Sequence, residues 1–140
     1  MKIYNGEGMI LGRLAALVAK DALHGEEIAV VNCEKVIISG KRENTFAREK
    51  ERRDRKGYPL TSAKFTRLPD RCVRRSIRGM LPYKIARGRE AFDRIMCYIG
   101  VPAQMKDLPL ISIKKESMQK LSVLRYTTVG QMCKHLGGKI

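Results

Sequence analysis

The sequence predicts an α/β domain built around a parallel sheet, and three segments near its N-terminus carry this prediction. Met1 to Asn5 is typical of a short strand, and Ile28 to Val31 is an apolar run of strand length. Between them, Leu11 to Leu23 places apolar residues at helical spacing and is followed by a terminating glycine, Gly25. A strand, a helix and a second strand in this order form a βαβ unit, in which the strands are parallel and the crossover is right-handed.

Further elements are predicted along the rest of the chain. Lys41 to Lys56 is almost entirely charged and predicts an exposed helix, supported by ion pairs between residues four apart: Glu49–Arg53, Lys50–Asp54 and Glu51–Arg55. Gly57 to Pro69 predicts a loop longer than most connections, which favours a binding segment. The other predicted elements are strands at Val36 to Ile38 and Cys97 to Ile99, helices beginning at Pro69–Asp70 and over Gly88 to Met96, an irregular segment from Pro102 to Lys120, and a short helix after the capping box Thr128 to Gln131.

The charge of the chain is large and unevenly distributed. Its 140 residues contain 29 Lys and Arg against 14 Asp and Glu, which gives a formal net charge of +15. Residues 41–94 hold 18 of the basic and 7 of the acidic residues, so this middle region alone carries a net charge of +11. Concentrated positive charge is typical of a surface that binds a polyanion, whereas charge that only maintains solubility is spread more evenly.

A cluster of arginines marks the centre of this basic region. On a helix beginning at Pro69–Asp70, four arginines fall within an arc of roughly 100°, and Val73, Ile77 and Met80 fall on the opposite side. Such a helix can pack its apolar side on a core and present the four guanidinium groups to phosphates; a basic face that is merely solvated is the alternative. The chain has few aromatic residues and no Trp, which favours recognition of phosphates and shape over base stacking. The four arginines are Arg71, Arg74, Arg75 and Arg78.

A nucleotide-binding enzyme is the main rival interpretation, and the sequence does not support it. The glycine-bearing turn after the first strand lacks the dinucleotide fingerprint, because Leu11 stands where the third glycine would be and Asn32 where an acidic ribose partner would be. No phosphate-binding G-x-x-x-x-G-K-[ST] loop occurs, and the two histidines lie far from any pattern of nucleophile and base. We therefore predict no catalytic residues.

Metal and membrane binding are also disfavoured. The four cysteines form no C-x-x-C pair, so we expect reduced, mostly buried thiols in an intracellular protein and no metal site. No apolar run approaches the length of a membrane span, and no long helix combines basic with bulky membrane-seeking residues. We expect neither a membrane partner nor a secretory signal.

Five blocks of sequence, taken in order, resemble one protein family. The blocks are G-M-I-L-G-R-L-A from Gly8, V-V-N-C-E-K from Val30, R-R-S-I-R-G-M-L-P from Arg74, G-R-E-A from Gly88 and Y-T-T-V-G-Q-M-C-K-H-L-G from Tyr126. They cover nearly the whole chain and are similar to the large-subunit ribosomal protein thirteen family. The chain starts almost directly at its first strand and lacks a long C-terminal helical extension, so we expect the archaeal and eukaryotic branch and an archaeal source.

The resemblance implies both a fold and a role. The fold would be a three-layer α/β/α sandwich around a mostly parallel central sheet of about four strands, formed by residues 1–140 as a single domain. The role would be that of a structural constituent of the large ribosomal subunit in the cytoplasm, which binds large-subunit rRNA, lies beside neighbouring ribosomal proteins and supports subunit assembly and translation. Enzymatic activity, a small-molecule substrate and a cofactor would all be absent.

The resemblance also selects candidate RNA-binding residues. The arginines of the hallmark helix lead, three downstream cations follow, and the end of the charged helix adds four candidates on charge alone, all within a basic rRNA-facing region at about 41–94. They are Arg71, Arg74, Arg75 and Arg78, then Lys84, Arg87 and Arg89, and then Arg52, Arg53, Arg55 and Lys56.

Two substitutions separate the two sides of the arginine helix. We expect charge reversal at Arg74 and Arg78 to leave the fold intact and to impair incorporation into the subunit. Ile77→Asp is expected to do the opposite and collapse the fold, because it buries an unpaired charge. A translational regulator that works outside the ribosome is the alternative from another functional class, and it would be found on a defined messenger instead of on subunits.

Overall fold

The computed structural model describes residues 1–55, 66–112, 117–121 and 124–139. It places four strands in one parallel sheet and two more in a separate antiparallel pair, with helices packed around them. The strands are β1 (Lys2–Asn5), β2 (Ile28–Val31), β3 (Ile37–Ser39), β4 (Ile95–Cys97), β5 (Leu110–Ile111) and β6 (Tyr126–Thr128). The helices are α1 (Leu11–Leu23), α2 (Arg42–Asp54), α3 (Pro69–Arg78), α4 (Ala86–Asp93) and α5 (Val129–His135).

The predicted βαβ unit forms the centre of the fold. β1 and β2 pair in parallel with Lys2 opposite Ile28, and the complete sheet has the order β4-β2-β1-β5. The helix between them, α1, has the predicted bounds and buries Leu14 and Val18 completely. The predicted α/β class with a mostly parallel sheet of about four strands, flanked by helices, is therefore confirmed.

The two faces of the sheet are covered differently. Tyr4, Ile28 and Val30 point into the main core, which the helices complete. Alternate residues Ile3, Ala29 and Val31 point to the other face. There the apolar side chains of Tyr98, Val101 and Met105 pack on them, and Met105 belongs to a short 3-10 turn, Ala103–Met105. Burial on both faces explains why β2 has the uninterrupted apolar sequence typical of a central parallel strand.

The largest differences from the predicted elements lie in the C-terminal half. The helix predicted over Gly88 to Met96 is α4, which begins two residues earlier and ends at Asp93. Ile95 therefore belongs to β4, where it is fully buried and pairs with Ile28 of β2. The segment predicted to be irregular contains β5, whose two residues pair with Ile3 and Tyr4 of β1.

Candidate nucleic-acid interface

Helix α3 has the two predicted faces. Pro69 occupies its first turn together with Asp70, and the helix ends at Gly79. Val73 and Ile77 are fully buried and are part of the main core, where α3 packs chiefly on α1. Met80 was predicted on the same apolar side, but this prediction is wrong: the helix ends before it, the chain turns, and Met80 remains 44% exposed.

The four arginines of α3 are not equally available to a partner. Arg71 and Arg78 are exposed, whereas Arg74 and Arg75 are half-buried. The Arg74 guanidinium carbon lies 4.5 Å from the centre of the Phe92 ring, and its Nη2 donates a hydrogen bond of 3.5 Å to the Phe92 carbonyl oxygen. Because Phe92 belongs to α4, Arg74 joins α3 to α4 as well as adding charge. The structure therefore corrects the expectation that Arg74 projects as freely as Arg78.

The three downstream cations extend the exposed basic surface. Lys84, Arg87 and Arg89 are exposed in the turn before α4 and in its first half. Gly88, which lies between two of them, is buried: a Cβ atom there would lie 2.1 Å from the carbonyl oxygen of Pro82. This close approach requires glycine and fixes the start of α4 against the preceding turn. From residue 71 to residue 89 the sequence contains no Asp or Glu, so the surface has no acidic side chain of its own from this segment.

The candidates on α2 already have partners within the chain. Glu49 is only 5% exposed, and one of its carboxylate oxygens accepts hydrogen bonds of 3.1 Å from Arg48 and of 3.1 Å from Arg52. Arg53 was predicted to pair with Glu49, but it donates instead to the carbonyl oxygen of Leu136. The predicted pair Glu51–Arg55 is present, with 2.6 Å between Oε1 and Nη2. Lys56, the last candidate of this group, lies outside the described residues.

A cleft brings the cations of α2 and α3 together. It has a volume of about 280 Å³, and Leu11, Ile38 and Met132 supply its apolar lining. Arginines from both helices line it as well: Arg48, Arg52 and Arg75. Candidates that are more than twenty residues apart in the sequence therefore border one concave surface. Buried Glu49 lines the cleft as well and pairs with Arg48 and Arg52, so it offsets part of the positive potential that converging arginines create there.

The sheet edge where a nucleotide would bind in the rival interpretation is filled by the chain itself. A Cβ atom on Gly6 would lie 2.7 Å from Val36 Cγ2, so this glycine serves backbone packing. Asn32 donates from Nδ2 to Asn5 Oδ1 at 2.9 Å across the ends of β1 and β2. Glu34 Oε2 accepts the backbone N–H of Gly100 at 3.0 Å. The polar groups at this edge thus hold loops together.

The cysteines behave as buried apolar residues. Within the described part of the chain all four are free thiols, and only Cys97 is more than marginally exposed. A hydrogen bond to Cys97, together with burial, raises the pKa of the Cys33 thiol. A hydrogen bond to Cys72, together with burial, raises the pKa of Cys133. The thiols of Cys33 and Cys133 are therefore protonated at neutral pH and are poor nucleophiles and metal ligands.

Neither a metal site nor a spanning helix is found in the ranges that the structure describes. No group of three or more His, Cys, Asp or Glu side chains in those ranges is arranged to hold a metal ion. Over the same ranges, no helix has the length and the apolar character needed to cross a bilayer.

Comparison with known proteins identifies the family. The family model described as "Ribosomal protein L13" matches residues 1–104, which is well over half of the chain. The chain belongs to the ribosomal protein L13 family. The resemblance inferred from the five sequence blocks is thereby confirmed. Members of this family are structural, non-enzymatic ribosomal components, so the prediction of no enzymatic activity is confirmed as well.

Archaeal members of the ribosomal protein L13 family match the chain over its full length. A protein of Methanosarcina barkeri is 45% identical over 140 residues, covering 99% of both chains. One of Methanocaldococcus jannaschii is 41% identical over 142 residues with the same coverage, and one of Methanopyrus kandleri is 42% identical over 96% of this chain and 86% of its own. All three are named "Large ribosomal subunit protein uL13". Their archaeal origin agrees with the expected branch.

Sequence reasoning overlooked the aromatic partners of the arginines in this ribosomal protein L13 family member. Phe92 lies beneath Arg74, and the Tyr83 ring lies 5.1 Å from the guanidinium carbon of Arg78. The buried Glu49, which forms ion pairs with Arg48 and Arg52, was also not predicted to pair with these arginines. The contact between Arg78 and Tyr83 has a local sequence signal, because a turn-forming G-x-x-P segment lies between them. The contact between Arg74 and Phe92 has no such signal, because these residues are eighteen positions apart.

Proposed function

We propose that the chain is a structural constituent of the large ribosomal subunit that binds large-subunit rRNA through its basic region, residues 41–94, and supports subunit assembly and translation. The observation that carries the proposal is an exposed surface of five cations in a segment that has no acidic residue between positions 71 and 89. The names of its archaeal relatives support the same assignment. The five cations are Arg71, Arg78, Lys84, Arg87 and Arg89.

In this proposal the protein acts by neutralising phosphates where RNA segments approach one another. Two RNA backbones repel at short distance, and a rigid cationic surface between them lowers that repulsion. The planar fork of Arg suits this role, because one guanidinium can bridge two phosphate oxygens. The core side chains Val73 and Ile77 hold α3 in place, so the helix backbone that carries the cations is positioned before RNA binds.

The remaining candidates divide into two groups by their contacts. Arg74 positions α3 against α4 and contributes charge mainly through the field of the surface. Arg52 and Arg75 border the cleft between α2 and α3, where an RNA backbone would contact them as a second site. Arg53, Arg55 and Lys56 remain candidates from charge alone.

We also propose that residues 1–140 form one domain. The main core joins side chains from the first strand to the last helix, from Tyr4 of β1 to Leu136 after α5, so these parts cannot unfold separately without exposing the same apolar surface. As a subunit constituent in the cytoplasm, the protein would have neighbouring ribosomal proteins as further partners. No small molecule and no membrane take part in this function.

Sedimentation of the native protein tests the proposal most directly. In gently lysed source cells, the protein is expected to sediment with the large subunit in a sucrose gradient and to resist a high-salt wash. In parallel, the purified protein should bind deproteinised large-subunit rRNA, with an affinity that falls by roughly 10³–10⁵ between 50 and 200 mM salt if 6–10 phosphates are contacted. A protein that stays at the top of the gradient, bound to a defined messenger, would refute a role in the subunit and support a regulator.

A further inference from the structure

The turn between α3 and α4 exposes an unusual amount of apolar surface. Met80 is 44% exposed, Tyr83 is 40% exposed and Ile85 is 55% exposed. Exposed apolar side chains that cluster in one short segment commonly mark a binding surface. Here they alternate with the cations Arg78 and Lys84, so apolar and positively charged groups share one surface.

The Tyr83 ring is held in a fixed orientation although it is exposed. The guanidinium carbon of Arg78 lies 5.1 Å from the ring centre. The Phe92 ring meets Tyr83 at 89° with 5.5 Å between centroids, and Phe92 is itself covered by Arg74. The backbone N–H of Tyr83 donates to the carbonyl of Leu81 at 2.8 Å. An aromatic ring fixed in this way costs less entropy to bury than a flexible one.

The positive charge around Tyr83 indicates which class of molecule binds this surface. From residue 71 to residue 89 there are seven Arg and Lys and no Asp or Glu, so a basic or neutral protein surface would have to bury cations without counterions here. RNA supplies both complements at once, because each unpaired base has an aromatic face and is attached to a phosphate. A fully paired helix offers the phosphates without an accessible face of a base.

We propose that Tyr83, with Arg78 over one face of its ring, stacks an unpaired rRNA base on the opposite face, so that the interface recognises a bulged or single-stranded nucleotide in addition to phosphates. This inference rests on the proposed rRNA-binding function and deepens it. It differs from recognition by phosphates and shape alone, since it assigns one nucleotide of the RNA a specific contact with the protein.

Substitution of the ring separates stacking from charge. Tyr83→Leu is expected to weaken binding to deproteinised large-subunit rRNA by about 5- to 150-fold while the slope of affinity against salt is unchanged, because no cation is removed. Tyr83→Phe keeps the ring and should bind like the wild type. Tyr126→Leu is the matched control, since Tyr126 is also 40% exposed and also lies near cations, Lys41 and Arg42, but belongs to β6 and not to the α3–α4 turn.

Fluorescence provides a second, independent readout. The chain contains no Trp, so Tyr83→Trp introduces its sole indole, and Tyr126→Trp gives the corresponding control. The probes are two short RNA duplexes of equal length, one fully paired and one with a single bulged nucleotide. The bulged duplex is expected to quench the Trp at position 83 strongly, and the paired duplex to quench it weakly; the Trp at position 126 should respond to neither.

The possible outcomes separate base stacking by Tyr83 from the proposed function of rRNA binding. Wild-type affinity in Tyr83→Leu, or equal quenching by both duplexes, would refute base stacking while leaving rRNA binding by the cations in place. A Trp at position 83 that is unaffected by RNA but shifts its emission to the blue in assembled subunits would show a neighbouring protein on this surface and would equally refute it. Failure of the wild-type protein to bind rRNA at all would refute the proposed function.

Discussion

The two exposed arginines of α3 should contribute strongly to RNA affinity and little to stability. Arg71 and Arg78 project from the helix, whose buried side is formed by other residues, so Arg71→Gln with Arg78→Gln removes two charges and leaves the core intact. We expect the free energy of unfolding to fall by less than about 1 kcal/mol, because Arg78→Gln removes only an exposed contact with the Tyr83 ring. Denaturant unfolding followed by circular dichroism measures this change.

The effect on binding follows from how many phosphates the variant no longer neutralises. Each neutralised phosphate contributes about 0.7–0.9 to the slope of log affinity against log salt, so removing the charges of Arg71 and Arg78 lowers the slope by about 1.4–1.8. The ratio of wild-type to variant affinity should then be about 7- to 12-fold larger at 50 mM than at 200 mM salt. Filter binding to large-subunit rRNA over this salt range gives both numbers. Lys20→Gln with Lys106→Gln removes the same charge from exposed positions outside the basic region and should leave the slope nearly unchanged.

Arg74 is expected to show the opposite pattern, with a larger effect on stability than on RNA affinity. Arg74→Gln removes the interaction with Phe92 and part of the packing between α3 and α4, which should lower the free energy of unfolding by about 1–2 kcal/mol. The slope of log affinity against log salt should change by less than it would on loss of one phosphate contact. If Arg74→Gln is as stable as the wild type, or if the Arg71 and Arg78 double variant is destabilised by a similar amount, the division between exposed and positioning arginines is wrong.

Three further predictions concern residues other than the arginines. Gly88→Ala should destabilise the fold by about 1–3 kcal/mol, measured by chemical unfolding, because its Cβ would overlap the carbonyl of Pro82. The hydrogen bond from Tyr4 is the largest cause that lowers the pKa of Asp21 below 3.8. The Asp21 carboxylate thus adds stability that is present above pH 3.8 and lost as the pH falls through its folded pKa, and Asp21→Asn should flatten that part of the curve of unfolding free energy against pH. In the folded protein, a thiol reagent should label Cys97 well before Cys33 and Cys133, which should react only on unfolding, as peptide mapping would reveal.

Elements with a strong local period could be predicted from the sequence, and their bounds were accurate. Leu11 to Leu23 and Ile28 to Val31 were placed correctly, since a helical stripe and an apolar run of strand length are both visible within one segment. Thr128 also caps α5 as predicted, accepting the N–H of Gln131 at 3.2 Å. The strand at Leu110–Ile111 was missed because two residues show no period; their pairing with β1 defines them.

In the candidate site, too, local patterns were predicted from the sequence whereas contacts between distant residues were not. Helical spacing placed four arginines on one side of α3, but spacing alone does not show how far the neighbouring elements reach around the helix. Arg74 and Arg75 are only half-exposed: Arg74 packs on Phe92, and Arg75 lines the cleft between α2 and α3. The prediction for Arg53 failed for a similar reason, because its partner, the Leu136 carbonyl, lies 83 residues away.

The arginines with internal partners explain how a chain of net charge +15 can keep a cationic surface ordered. Like charges that converge on one surface repel one another and destabilise the folded state. Buried Glu49 offsets two of them, the ring of Tyr83 offsets Arg78, and Arg53 bonds a carbonyl at the end of α5, where the helix dipole favours a cation. In the proposed function, these interactions restrict the guanidinium groups before RNA binds, so less side-chain entropy is lost on association. The proposed neutralisation of phosphates between RNA segments would gain from this arrangement, since the cationic surface is already shaped when the first segment binds.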